Sequence, residues 1–262
     1  MMVVLVGMLS ASAAPLQSQV AFDREVIELV PGGMSRAYSE FTVRNTGAGE
    51  MEATVRLEDW DVDAGGRSHW RASGRVAGSC KGRVTVSPEN IRLGPGEQRT
   101  LRITVREGAR FDAECWTAAV VQPTRFAARP FSVEPTVMTR GSLPLYVTPP
   151  ELDVAGAVSA LIVRRDSIDV LFENTGRSRA DIVGVVQVRT HDNTVVHSMP
   201  LPEATVLPGG LRRYRIPVPA LPPGRFTVIG IVDFGGDVMA AAQAALEITR
   251  TNTQSTTRTG TR

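Results

Sequence analysis

A short motif occurs twice in this chain, and it restricts the fold more than any other feature. Residues 41–47 read Phe-Thr-Val-Arg-Asn-Thr-Gly, and residues 170–176 read Val-Leu-Phe-Glu-Asn-Thr-Gly. A second shared motif follows each copy, at residues 93–103 and 207–216, and both versions contain a Pro-Gly pair and end in Arg-Ile or a close variant. Two matches in the same order indicate a duplicated unit. Because Asn-Thr-Gly and Pro-Gly favour turns and their flanks alternate apolar with polar, the unit is predicted to be a small all-β domain.

The spacing of these turns predicts an all-β protein of two tandem immunoglobulin-like β-sandwich domains. The chain has 262 residues, enough for two separate cores, and aromatic residues make up only 5%, so the cores are expected to be aliphatic. We place the domains at residues 20–148 and 151–249, with the stiff pair Pro149-Pro150 between them. Short strands separated by such turns are typical of immunoglobulin-like sandwiches. The predicted strands are 20–30, 37–45, 51–62, 82–87, 98–107, 115–122 and one ending at 148, then 168–173, 180–190, 194–199, 211–217, 224–233 and 237–249.

The two ends of the chain differ from its middle. Residues 1–9 are apolar but too few to span a bilayer, and Ala-Ser-Ala follows at 11–13, so residues 1–13 are predicted to be a signal peptide. The alternative is a buried first strand. Residues 250–262 contain no core-forming side chain and are predicted to be a disordered tail. A periplasmic or secreted location follows from the leader, with no stable membrane insertion after the leader is removed.

Both cysteines, Cys80 and Cys115, fall in the first predicted domain. In an exported protein a single pair favours a disulfide over a metal site or a nucleophile, and two separate thiols are the alternative.

The remaining chemistry favours a binding protein over an enzyme. The net charge of +2 is too small to indicate a nucleic-acid partner, and Arg212, Arg213 and Arg215 are predicted to form the exposed side of a strand. Asp59, Asp61 and Asp63 alternate before a glycine turn, but the spacing does not fit an EF-hand, so charged residues at the end of a hairpin are predicted. We therefore expect no catalytic residue, no metal site and no cofactor.

Several motifs resemble those of the PapD-like periplasmic pilus-assembly chaperones. The most specific is the segment from Ser87-Pro88 through Leu93, Pro95-Gly96-Glu97-Gln98 and Arg102, which is similar to the Ser-Pro … Leu-x-Pro-Gly-x-x-Gln-x-x-Arg segment of that family. The strand ending in Trp60, the run at 112–116 (Asp-Ala-Glu-Cys-Trp) and the turn at 233–236 (Asp-Phe-Gly-Gly) also resemble family motifs. The resemblance touches both domains and implies two sandwiches set at an angle.

The resemblance also implies a mechanism in which an exposed strand is lent to an incomplete pilus subunit. Backbone hydrogen bonds hold the subunit, and alternate apolar side chains fill its open groove. The matching segment here is 136–147, in which Thr139 and Gly141 interrupt the apolar row and Pro144 lacks an N–H. The candidate partner-binding side chains in this segment are Val137, Met138, Leu143, Leu145 and Val147.

The family holds the terminal carboxylate of its client with two basic residues. An ungapped placement puts these positions at Val26 or Ile27 and at Pro144, so neither is basic here. Arg24 and Arg140 lie nearby and are the candidate substitutes, the alternative being two ordinary surface arginines. The expected partners are therefore pilin-like or other exported protein subunits. A structural or adhesive surface module with the same fold is the rival hypothesis.

Overall fold

A computed structural model describes residues 19–31, 38–126 and 139–249. These residues contain seventeen β-strands and no α-helix, so no helix in the described ranges is long and apolar enough to cross a membrane. The predicted signal peptide, the predicted tail, Val137 and Met138 all lie outside the described residues.

Ten strands form two sheets in the part we call the first sandwich. One sheet has the order β1-β3-β8-β6, and the other has the order β2-β10-β9-β4-β5, with β7 also paired to β4. Every pair is antiparallel except β2 with β10, which run parallel. The strands are β1 (Val20–Phe22), β2 (Ile27–Leu29), β3 (Tyr38–Asn45), β4 (Met51–Val62), β5 (Ser68–Ala72), β6 (Val84–Ser87), β7 (Asn90–Leu93), β8 (Gln98–Val105), β9 (Cys115–Phe126) and β10 (Gly141–Val147).

Seven further strands form the second sandwich, whose sheets have the orders β11-β12-β15 and β14-β13-β16-β17. All its pairs are antiparallel. The fold class predicted from the sequence, two tandem immunoglobulin-like sandwiches, is confirmed. The strands are β11 (Gly156–Val163), β12 (Ser167–Asn174), β13 (Ala180–Arg189), β14 (Val195–Val206), β15 (Leu211–Pro217), β16 (Gly224–Asp233) and β17 (Ala240–Ile248).

Each sandwich has its own aliphatic core, as the composition indicates. The first is built around Phe41, Leu101 and Ile103, all at most 1% exposed. The second is built around Ile168, Val170 and Phe172, all fully buried. Alternation along the strands explains this placement, because every second side chain faces the opposite sheet.

The duplicated motifs contact each other in both sandwiches. The side-chain amide of the buried Asn45 donates to the carbonyl of Leu93, and the amide of the buried Asn174 donates to the carbonyl of Val206, at 3.0 and 2.8 Å. Backbone bonds join the same asparagines to the Pro-Gly turns. Each asparagine therefore ties its own turn to the second shared motif, which explains why the two motifs occur together.

Some strands differ from the sequence-based expectation. The single strand predicted at 20–30 is two strands, because the chain leaves one sheet after Phe22 and joins the other at Ile27. Strands β5, β7 and β11 were not predicted, and β5 is mostly exposed, so it has little apolar alternation to reveal it. The alanine-rich stretch near the end is a strand despite its helical propensity, because β17 pairs with β16 along its length.

The predicted disulfide is confirmed. Cys80 and Cys115 are bonded, with their Cα atoms 5.1 Å apart and both residues fully buried. The bond holds the loop before β6 against the start of β9. The backbone adds two further ties there, from Trp116 N–H to the Gly78 carbonyl and from Cys80 N–H to the Trp116 carbonyl.

Candidate functional site

The strand that the sequence assigns to partner binding, β10, lies inside a sheet for part of its length. It pairs with β9 along all seven residues, but with β2 only at residues 145–147. No described strand pairs with residues 141–144 on the side away from β9. We call the backbone on that side the free edge.

The direction of the backbone groups on the free edge follows from one hydrogen bond. The N–H of Thr148 donates to the carbonyl of Leu29 in β2, at 2.9 Å. Because backbone groups alternate sides along a strand, Ser142 and Pro144 direct theirs to the same side as Thr148, away from β9. The Leu145–Ile27 register places the Pro144 carbonyl opposite the Ile27 N–H of β2. The free edge within β10 therefore offers the N–H and carbonyl of Ser142. The missing N–H of Pro144 costs the ladder with β9 nothing.

The apolar side chains of β10 face the core of their own sandwich. Leu143, Leu145 and Val147 are 1%, 0% and 0% exposed, respectively, and belong to the first core. They do not present a surface to a partner in this structure. Their backbone groups face β9, so these three residues do not contribute to the free edge either. Their part in partner binding stays a prediction.

The two candidate basic residues have different partners in the structure. Arg24 lies between β1 and β2, where it contacts the carboxylate of Asp23 and the hydroxyl of Ser39. Because β2 and β10 are parallel, the chain before Ile27 lies on the same side as the free edge. Arg140 instead donates to the Glu58 carboxylate at 2.7 Å, on β4.

An aromatic row covers the outer face of the same sheet. The Trp60 ring lies 6.2 Å from Trp70 and 5.8 Å, edge on, from Tyr146, measured between ring centroids. The guanidinium of Arg140 lies 4.7 Å from the Trp70 centroid, and that of Arg179 lies 4.2 Å from the Tyr146 centroid. Such stacking holds both cations by their attraction to the ring faces. Burial raises the pKa of Tyr146, which keeps its hydroxyl neutral beside these charges.

The row continues into the second sandwich. Leu207, at the turn before β15, is buried with Trp60, Trp116, Ala118 and Val120 in a small cluster of its own. Arg179 crosses the same boundary, since its guanidinium donates to Glu114 at 3.0 Å and also pairs with Glu28. The two sandwiches thus share a packed boundary.

The three alternating aspartates have separate structural roles. The Asp59 carboxylate accepts the backbone N–H of Gly74 at 2.5 Å, while Asp63 accepts the N–H of Arg67 and contacts His69. The Arg67 N–H, together with His69, lowers the pKa of Asp63 to about 2. The prediction of acidic residues at a hairpin is confirmed at the β4–β5 turn. Within the described ranges, no group of three or more His, Cys, Asp or Glu side chains could hold a metal ion.

Sequence reasoning missed Trp70, Tyr146 and Arg179 as members of one surface. Trp70 stands in a strand with no apolar alternation, and Arg179 follows the second Asn-Thr-Gly turn without any motif of its own. The signal available in the sequence was the scarcity of aromatic residues, since each one that occurs is a candidate for a specific contact. In the structure Trp60, Trp70 and Tyr146 do contact one another.

This arrangement of two β-sandwiches matches the two-domain fold of solved fimbrial chaperone structures. The crystal structure of the class 5 fimbriae chaperone CfaA matches with a TM-score of 0.53 at 11% identity, covering 88% of this chain and 100% of that one. A chaperone–tip adhesin complex described as vital for CFA/I fimbriae biogenesis matches with a TM-score of 0.52 at 10% identity, covering 87% of this chain and 98% of that one. No family model and no curated protein matches the sequence. At these identities the likeness shows the fold.

Proposed function

We propose that this protein is a periplasmic or secreted chaperone-like protein that binds pilus, fimbrial or other surface-protein subunits. The observation that carries the proposal is the free edge at residues 141–144, where Ser142 directs its N–H and carbonyl away from β9. An extended segment of a partner can add there as a new strand. The function is binding, and it requires no cofactor and no metal.

The structure restricts how such a partner would be held. Main-chain bonds come from Ser142, and the aromatic row on the outer face of the sheet adds apolar contact beside them. Leu143 and Leu145 already fill the first core, so side chains that enter a partner's groove have to come from the segment before Thr139, where Val137 and Met138 are the predicted candidates. Arg24 and Arg140 are the predicted contacts for a terminal carboxylate.

A substitution at Ser142 tests strand addition directly. Ser142→Pro removes the one N–H that residues 141–144 direct to the free edge, and it leaves the ladder with β9 intact because that N–H faces away from β9. Ser142→Ala keeps the N–H and removes only the hydroxyl, so it is the matched control. Glutamate at Leu143 or Leu145 is unsuitable, because it would place a carboxylate in the core.

The measurement is copurification of a co-expressed pilin-like subunit, with circular dichroism to verify folding. We expect the wild type and Ser142→Ala to retain the subunit and Ser142→Pro to retain at least about tenfold less, since a lost charge-free hydrogen bond and its desolvated partner are each worth about 1 kcal/mol or more. Equal retention by a folded Ser142→Pro variant, or no complex with any exported subunit tried, would contradict the proposal.

A structural or adhesive module is the second candidate function. The observation that favours it is the engagement of Arg140 by Glu58 and Trp70, which occupies a residue predicted to bind a client. The two functions differ in what happens to the partner. A chaperone keeps an incomplete subunit soluble, whereas a module leaves the amount of soluble subunit unchanged when the two are co-expressed.

A further inference from the structure

A cavity of about 370 Å³ lies between the two sandwiches, apart from the free edge. One wall comes from β4, the loop before Cys80 and the start of β9, and the other comes from the end of β14, the following turn and the start of β15. The apolar lining residues are Val62, Val76, Ala77, Trp116, Val206, Leu207, Pro208 and Leu211. Cavities of this size, apolar and placed at a domain boundary, are where proteins commonly bind small molecules.

Trp116 forms a closely packed part of the cavity lining, and its one polar group is already hydrogen-bonded. The Trp116 ring passes so close to Gly78 that a Cβ there would lie 1.9 Å from it. Its indole N–H already donates to the Trp60 carbonyl, at 2.8 Å. The aromatic face of Trp116 is therefore held in place by the disulfide-bound loop, and it offers a ligand an apolar surface.

The charges around the cavity are unbalanced. Arg75 and Arg212 both line it, and no described residue forms an ion pair with either. Asp61 also lines it, but its carboxylate is engaged by Arg71 at 3.2 Å. The lining therefore carries two arginines without an anionic partner.

Arg212 is held in an unusual position by its surroundings. Its guanidinium lies against the β4–β5 turn, where a Cβ on Gly66 would be 1.4 Å from Nη1, and 5.1 Å from the Tyr214 ring centroid. Its Nε is buried and has no hydrogen-bond partner. Arg212 as a whole is only partly buried, but a buried donor of a charged group without a partner is still costly, so an anion next to Arg212 would relieve that cost.

We propose that this interdomain cavity binds a small amphipathic anion. The ligand class has a compact apolar body, which packs on Trp116 and Leu207, and one carboxylate, sulfonate or phosphate group, which pairs with Arg212 and Arg75. Such a ligand contacts both sandwiches at once and holds them at a fixed angle. The site is separate from the free edge, so the proposal does not depend on strand addition.

The test uses the full chain and the fluorescent probe 8-anilino-1-naphthalenesulfonate, with uncharged N-phenyl-1-naphthylamine as the matched apolar probe. The variants are Arg212→Met, Arg75→Met and, as a control on the same strand, Arg213→Met, whose exposed side chain does not line the cavity. We expect saturable binding of one sulfonate probe per chain, and about tenfold weaker binding in Arg212→Met, because a charge-assisted hydrogen bond is worth roughly a factor of ten or more. Arg75→Met is also expected to bind the sulfonate probe more weakly, while Arg213→Met binds it as the wild type does. The affinity for the uncharged probe should be the same in the wild type and all three variants.

Three outcomes would overturn the proposal. The first is the absence of saturable binding of the sulfonate probe. The second is an affinity in Arg212→Met and Arg75→Met that equals that of the wild type. The third is a loss of affinity in Arg213→Met as large as that in Arg212→Met, which would indicate diffuse surface charge. Circular dichroism identifies any variant that does not fold. If Arg212→Met is unfolded, Arg75→Met alone decides between the outcomes, because its exposed side chain makes no packing contribution comparable to that of Arg212.

Discussion

Arg179 of the second sandwich holds both oxygens of the Glu114 carboxylate in the first. Its guanidinium Nη1 donates at 3.0 Å, and its backbone N–H donates to the other oxygen at 3.1 Å. The Glu114 side chain is 1% exposed. A charge this deeply buried is stable only while its partner stays in place, so the pair fixes the contact between the sandwiches.

Removal of this charge is therefore expected to be costly. Glu114→Gln leaves Arg179 partly buried with the exposed Glu28 as its one remaining carboxylate partner among the described residues, and we expect a loss of about 3 kcal/mol in the free energy of unfolding, measured in urea. The double variant Glu114→Gln/Arg179→Met should recover part of the loss. Asp153→Asn, which breaks an exposed pair with Arg177, is the control and should cost much less, because solvent screens an exposed pair. A loss no greater than that of the control would contradict this account.

The buried asparagine of the second shared motif gives another prediction. Asn174→Asp keeps the oxygen that accepts the Gly176 N–H but replaces the donor to Val206 and Ser178 with a negative oxygen facing two carbonyls. We expect a loss of about 2–4 kcal/mol by urea denaturation. Thr175→Ala, at the exposed neighbour, should stay within about 0.5 kcal/mol of wild type. Similar stability of the two variants would show that the turn does not depend on the asparagine.

A buried carboxylate in the second sandwich gives a pH dependence. Hydrogen bonds from Arg215 and Arg164 hold the pKa of Asp169 at about 2, below its ordinary value of 3.8. Because the pKa is lower in the folded protein, the stabilisation is fully present above the ordinary value and is lost as the pH falls through about 2.

The measurement is the free energy of unfolding of wild type and Asp169→Asn as a function of pH. The advantage of the wild type should be constant near neutral pH and should shrink as the pH falls below 3.8 towards about 2. Asp237→Asn, at an exposed loop position, is the control and should follow the wild type. An advantage that stays constant down to the lowest pH would count against the ion-pair explanation.

The disulfide gives the fourth prediction. Cys80→Ala/Cys115→Ala opens a loop with a sequence separation of 35, for which the chain-entropy model gives a loss of about 3–4 kcal/mol. Urea denaturation of the double variant, compared with wild type in the absence and presence of reductant, measures it. The loss should disappear when both proteins are unfolded under reducing conditions. A double variant as stable as the oxidised wild type would be inconsistent with this role for the bond.

The repeated motifs predicted the fold because each motif carries its own local cause. Asn45 and Asn174 each accept the N–H of the glycine two residues further on, a bond that is local in sequence, so the sequence pattern and the structure agree there. Strand β5 could not be found in the same way, because it forms by pairing with the end of β4 and buries little apolar surface.

The candidate site was harder to predict than the fold. The apolar row of Leu143, Leu145 and Val147 is the same whether a strand faces its own core or a partner's groove, so alternation alone does not decide between them. Likewise, Arg213 is exposed as expected, but Arg212 lies against a turn of the other sandwich and Arg215 pairs with the buried Asp169. Contacts between segments far apart in sequence decided each of these cases.

Pro144 has a consequence for copies of the protein meeting one another. Its carbonyl faces the Ile27 N–H of β2, so among residues 141–144 only Ser142 offers free backbone groups, one N–H and one carbonyl. Two such edges placed side by side could share only the single pair of hydrogen bonds that joins Ser142 of one copy to Ser142 of the other. An edge this short disfavours pairing between identical chains, and a partner segment needs contacts beyond Ser142 to bind.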